Sequence, residues 1–155
     1  FGFLVLAPLA LTFVIDANMA QAKDPEFCGS CHLMQPKLAD IRNPESDNLA
    51  AIHTQRGFIQ HEQCYTCHSD YHMFGTATTK MRGMKHLWAD LFHEGQTMAT
   101  LYTPFPNSNC LQCHNGKRRF EENVMHSDIL ADLKSNKTAC TECHDNLHPK
   151  QPGEE

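Results

Sequence analysis

Four stretches of the 155-residue chain carry one five-residue pattern: CGSCH at 28–32, CYTCH at 64–68, CLQCH at 110–114 and CTECH at 140–144. Together they use all eight cysteines. Paired cysteines suit zinc or disulfides, but neither chemistry needs a histidine directly after each pair. With 11 histidines in 155 residues, chance would place one after all four pairs about once in 40,000 trials. Cys-x-x-Cys-His is the attachment signal for c-type haem. Two thiols add across the haem vinyl groups, and the adjacent imidazole reaches the iron. The sequence therefore predicts four covalent haems, held by Cys28, Cys31 and His32, by Cys64, Cys67 and His68, by Cys110, Cys113 and His114, and by Cys140, Cys143 and His144.

Four irons need eight axial ligands. The four motif histidines are the default near set, which leaves His53, His61, His72, His86, His93, His126 and His148. Supply exceeds demand, and spacing alone cannot choose among the seven. The first motif has a further peculiarity, because it alone continues as CHLM. Met34 and His32 extend from backbone tethered beside the same haem, so they reach the same face and compete for one position. A thioether is a weaker donor than imidazole and raises the reduction potential. On spacing alone Met34 is equally well a ligand or a residue packed on the porphyrin.

Covalent haem attachment takes place outside the cytoplasm, so the compartment follows from the chemistry. The chain opens FGFLVLAPLALTFVI, fifteen uncharged residues before Asp16. A full span needs about 20 apolar residues. The segment reads as a membrane anchor whose beginning is missing. A signal peptide cleaved near Ala20-Gln21-Ala22 is the rival. No Lys or Arg precedes Lys23, which fits a carboxyl side facing outward, into the periplasm or its equivalent. The net charge of −5 carries no basic footprint, which argues against nucleic acid as a partner.

The elements that must position these residues are short. The runs between the motifs cannot build cores of their own, so the haems would be the core, wrapped by short helices and much irregular chain. The expected layout is an anchor over 1–22, a haem domain over 23–150 and a loose tail over 151–155. Two dihaem halves, 28–72 and 110–148, would flank a helical middle. That middle is the most regular stretch: Met84, Leu87, Trp88, Leu91 and Phe92 recur at helical spacing within 81–95, with Gly95 as a stop. Arg82, His86, Asp90 and His93 form a second, polar stripe on another face.

The anchor, the four motifs and the pieces between them resemble the NapC/NirT/NrfH family of membrane-bound tetrahaem quinol dehydrogenases. The resemblance covers roughly residues 1–150. Its matching pieces are CGSCHLM, IHTQRGFIQHEQCYTCH, KHLWADLF, MH at 125–126 and CTECHDNLH. It implies that Met34 rather than His32 ligates the first haem, in the NrfH manner, with Asp90 on that haem's open side. It implies His53 as the far ligand of the third haem, His148 of the second and His126 of the fourth. With His126 available, the fourth haem need not borrow a ligand from a partner. CHSDYH departs from the family's usual CHxPH, so His72 is a poor ligand candidate, and His61, His86 and His93 match nothing in the family.

The expected activity is then oxidation of quinol, menaquinol included, at the outer membrane face. Electrons would pass to a multihaem or other reductase outside the membrane, within an oligomer or larger complex. Asp90 is the expected base, because burial near haem and apolar surface can raise a carboxylate's pKa. Arg82 or Lys85 would hold the quinol oxygen. The main alternative is a tetrahaem electron carrier, or a subunit of a cytochrome filament, that never meets quinol.

Overall fold

The computed structural model describes residues 2–71, 73–92 and 106–150, leaving the side chains of 85–87, 89 and 90 aside. The first helix, α1, spans Gly2–Gln21, and none of its residues is buried. Twenty residues rising about 1.5 Å each reach roughly 30 Å, the thickness of the bilayer's hydrocarbon core. Two of its polar side chains are met within the helix: the Thr12 hydroxyl donates to the Leu9 carbonyl at 2.8 Å, and the Asn18 amide to the Val14 carbonyl at 2.7 Å. Pro8 interrupts the ladder without ending the helix, as spanning helices tolerate. By length and composition α1 can cross a membrane and fits a single-pass anchor.

Beyond the anchor the described residues are helical or irregular, with no strand among them. Short helices follow in order: α2 Pro25–Gly29, α3 Gln35–Arg42, α4 Leu49–Gln55 and α5 Gln63–His68. Asp24 caps α2 by accepting from the Glu26 N–H at 2.9 Å, and Pro25 opens it with a φ already suited to a helix. Helix α3 packs on α4, burying Ile41 and Ala51. The Gln55 amide fixes the pair by donating to the Ile41 carbonyl at 2.7 Å.

The long middle helix, α6, covers Gly75–Phe92. It starts six residues before the stretch marked by hydrophobic periodicity, and 93–95, where the sequence reading ended it, lie outside the described residues. Its opening GTATTK is rich in β-branched threonine, a weak helix former. Tertiary bonds offset that weakness. Thr79 accepts from the Asp70 N–H at 2.8 Å, and Thr76 from the Tyr65 hydroxyl at 3.0 Å. Gly75 is demanded by the same junction, since a Cβ there would run into the Asp70 carbonyl. The chain then resumes with α7 Ser108–His114, α8 Arg118–Glu121, α9 Val124–Ser127 and α10 Leu130–Lys134, ending in a 3-10 turn at Cys140–Glu142.

Little of this is held by an ordinary core. Among the described residues, Ile41, Ala51 and Leu133 are the only buried apolar ones. Large side chains beyond the anchor stay open, Phe58, Phe74, Trp88 and Met125 each more than half exposed. The expected division into two halves is also blurred, because α5 of the second motif packs directly on α7 of the third.

Candidate functional site

Three of the four motifs begin on a helix and the fourth on a tight helical turn. In a helix, residues three and four apart share a side. In the second and third motifs, which lie whole on α5 and α7, both thiols and the following imidazole therefore present themselves to one partner. The motifs follow one another in space as in sequence. The Cys28 thiol hydrogen-bonds to Cys64, and Cys110 to Cys140, joining the first motif to the second and the third to the fourth. The bond lowers the Cys28 thiol to about 7 and raises Cys64, while burial pushes Cys110 up to about 11. Between the second and third motifs, the Asn109 amide donates to the Cys67 carbonyl at 2.8 Å.

The histidines supply the more telling geometry. His53 on α4 faces His114, His68 on α5 faces His148, and His126 on α9 faces His144. In all three pairs the ring centroids lie 6.1 Å apart. Two imidazoles on opposite sides of one metal ion, each bonded at about 2 Å, put their centroids roughly 6 Å apart. Each pair joins one motif histidine to one outside any motif, and the partners are those named from the resemblance. Two outside histidines also have a fixed tautomer. The Nδ1 of His53 lies 2.7 Å from the Leu49 carbonyl and that of His126 lies 3.0 Å from Phe120. A carbonyl can only accept, so Nδ1 carries the proton and Nε2 keeps the lone pair a metal requires.

Local structure explains how remote residues reach these positions. The first amides of α4 lack partners within the helix. Those of Leu49 and Ala50 donate to the carbonyls of Asn146 and Leu147 at 2.8 and 3.2 Å. Asn146 returns a bond to the Asp47 carbonyl at 3.0 Å. The C-terminal strip is thus tied to α4, which carries His148 to the second motif. Burial, followed by the nearby His53, His144 and His126, lowers the His114 pKa and keeps its imidazole neutral. Phe120 lies between His114 and His126, 6.0 and 4.7 Å from their ring centroids.

The first motif sits nearest the anchor, and Cys28 lies seven positions beyond Gln21. His32 is exposed while Met34 is half-buried at the head of α3. Lys23 and Lys80 place their ammonium groups over the Tyr65 ring, 4.9 and 5.5 Å from its centroid. That sandwich draws the anchor's end, the second motif and α6 together, and burial there lowers the Lys80 pKa. Arg82 forms an ion pair with Asp70 at 3.7 Å. The backbone of Lys85, His86 and Asp90 belongs to α6 but their side chains are outside the described set, as are His72 and His93 altogether. His61 is exposed by the anchor's end, lining a shallow cleft of about 270 Å³ with Ala20, Asp24 and Glu62.

Sequence reasoning missed Asn107, Asn109, Phe120 and the Tyr65 sandwich. Only the adjacency of the two asparagines to CLQCH could have singled them out. All eight thiols are free of disulfides. Among the described residues no three of His, Cys, Asp and Glu gather as a zinc site would need. The thiol pairs, ring pairs and open apolar side chains instead fit flat, apolar metal macrocycles. A family description for the N-terminal region of the NapC/NirT cytochrome c family matches residues 1–153. No curated protein and no solved structure matches the chain.

Proposed function

Because the chain belongs to the NapC/NirT cytochrome c family, and so carries covalent haem c, we propose that it oxidises a quinol at the outer membrane face and passes the electrons to a redox partner outside the membrane. Haem c, four groups by the motif count, supplies one-electron carriers through which a quinol's two electrons leave singly. Cys28 and Cys31, Cys64 and Cys67, Cys110 and Cys113, and Cys140 and Cys143 are the tethers. The observation that carries the reading is the contrast between the sites. Three motif histidines have a second imidazole 6.1 Å away; the first motif, seven positions beyond α1, carries a half-buried thioether, Met34, two residues after its histidine. Closed sites suit a relay; a weakly held one next to the membrane suits the substrate.

In this account His68 and His148, His114 and His53, and His144 and His126 hold the relay, and Met34 holds the first site in place of His32. Asp90 on α6 takes a proton from the quinol hydroxyl and hands it to water, once per electron. Arg82 or Lys85 holds the quinol oxygen, with Arg82 first leaving Asp70. The haem domain faces the periplasm or its equivalent, and the natural acceptor is a reductase docked there.

The direct test is reduction of the protein in lipid vesicles by a menaquinol analogue, with dithionite as the control that bypasses quinol. Quinol-driven reduction blocked by a quinol-analogue inhibitor is expected. Reduction by dithionite alone would leave an electron carrier. The ligand assignment has its own check. His53→Ala is expected to convert one haem in four from low spin to high spin in the visible spectrum, with haem content unchanged. Met34→Leu should alter the first site's spectrum, with haem content unchanged.

A further inference from the structure

We infer that Asn107 and Asn109 are positioning residues that set the spacing between neighbouring haems, an inference that rests on the haem assignment above and not on quinol as the donor. Asn107 is 2% exposed and Asn109 is 8% exposed, although both belong to a residue type that is mostly found at the surface. They flank the first residues of α7, on either side of Ser108. A buried amide costs about 1–3 kcal/mol if its partners are missing, so its bonds show what it is there to hold.

The Asn107 side chain is fully used. Its amide donates to the Leu133 carbonyl at 2.8 Å and the Thr138 carbonyl at 2.7 Å. Its Oδ1 accepts from the Cys140 N–H at 2.8 Å. Its backbone N–H donates to Asn136 Oδ1 at 2.6 Å, and Asn136 adopts a left-handed φ of 59° to meet it. One side chain at the start of the third motif thus clamps the loop that delivers the fourth and grips the first cysteine of that motif by its backbone.

Asn109 does the corresponding work in the other direction. Its amide donates to the carbonyl of Cys67, the second cysteine of the second motif, at 2.8 Å. Gln112, inside the third motif, adds a bond to the Thr66 carbonyl at 3.1 Å. Both contacts end on backbone within a motif, the part of the chain whose position fixes the tethered haem. Transfer between haems depends steeply on their separation. Amides that lock motif to motif therefore act on the transfer and not merely on folding. These side-chain bonds of the two asparagines end on backbone, and neither residue titrates.

The two residues make separable predictions. In the full-length membrane-extracted protein, Asn107→Ala should weaken the magnetic interaction between the third and fourth ferric haems, seen as narrowed electron paramagnetic resonance signals, and should leave the second and third coupled. Asn109→Ala should do the reverse. Haem content should stay at the wild-type value, and flash-initiated redistribution of an injected electron should slow several-fold across the affected junction. If Asn107→Ala fails to accumulate with its haems, Asn109→Ala combined with Gln112→Ala reads the same quantity at the second–third junction, where Gln112 is exposed. Unchanged coupling and unchanged transfer in variants that keep their haems would overturn the inference, reducing both amides to structural residues. Because the electron is injected photochemically, failure of the quinol proposal leaves this result readable.

Discussion

Asp90→Asn is expected to slow quinol-driven reduction by about 10²–10⁴-fold, the range that a positioned general base supplies, while dithionite still reduces every haem. A quinol cannot give up its electrons without shedding protons, and water at an apolar membrane face is a poor acceptor. Asp90 lies on α6, whose Lys80, ten residues earlier, holds its ammonium over the Tyr65 ring of the second motif. Asparagine keeps the size of the side chain and removes its ability to take a proton. The variant should therefore keep its haem count, its spectrum and its thermal stability. Undiminished quinol oxidation would remove Asp90 from the mechanism and turn attention to the cleft lined by His61, Asp24 and Glu62.

The largest loss of stability is expected from deleting a tether. Cys110→Ala with Cys113→Ala should yield little folded protein, and whatever accumulates should carry one haem fewer by pyridine haemochrome assay. The chain gives a quantitative reason. Only three apolar residues are buried by the polypeptide itself among those described. Covering on the order of 400 Å² of apolar surface on one haem and its surroundings contributes about 10 kcal/mol. A typical domain has only about 5–15 kcal/mol in total. The third motif is also where α7 meets α5 and where Asn107 and Asn109 make their bonds. Removal of its haem should loosen the second and fourth sites as well. Full accumulation of a three-haem protein with wild-type melting would show that the polypeptide has a core independent of haem.

The four Cys-x-x-Cys-His motifs could be read straight from the sequence, because the attachment signal is local: two thiols and an imidazole within five residues. The anchor was legible for a similar reason, its fifteen opening uncharged residues needing no tertiary context. The histidine pairings were not. Seven spare histidines had no distinguishing spacing, and the choice of His53, His126 and His148 came from a family resemblance. What brings His148 to His68 is the docking of residues 146–147 on the open amides of α4, which no local pattern announces. The start of α6 was hidden because threonine-rich GTATTK argues against a helix unless its hydroxyls have remote partners. Asn107 and Asn109 look like ordinary loop residues until the carbonyls they hold are known.

The most direct measurement is low-temperature electron paramagnetic resonance of the oxidised, membrane-extracted protein with and without a quinol analogue. The account predicts three low-spin haems with two imidazoles each and a fourth, high-spin or weakly ligated, whose signal alone shifts when the analogue binds. Four low-spin haems indifferent to the analogue would contradict it, leaving Met34 as packing and the chain as an electron carrier.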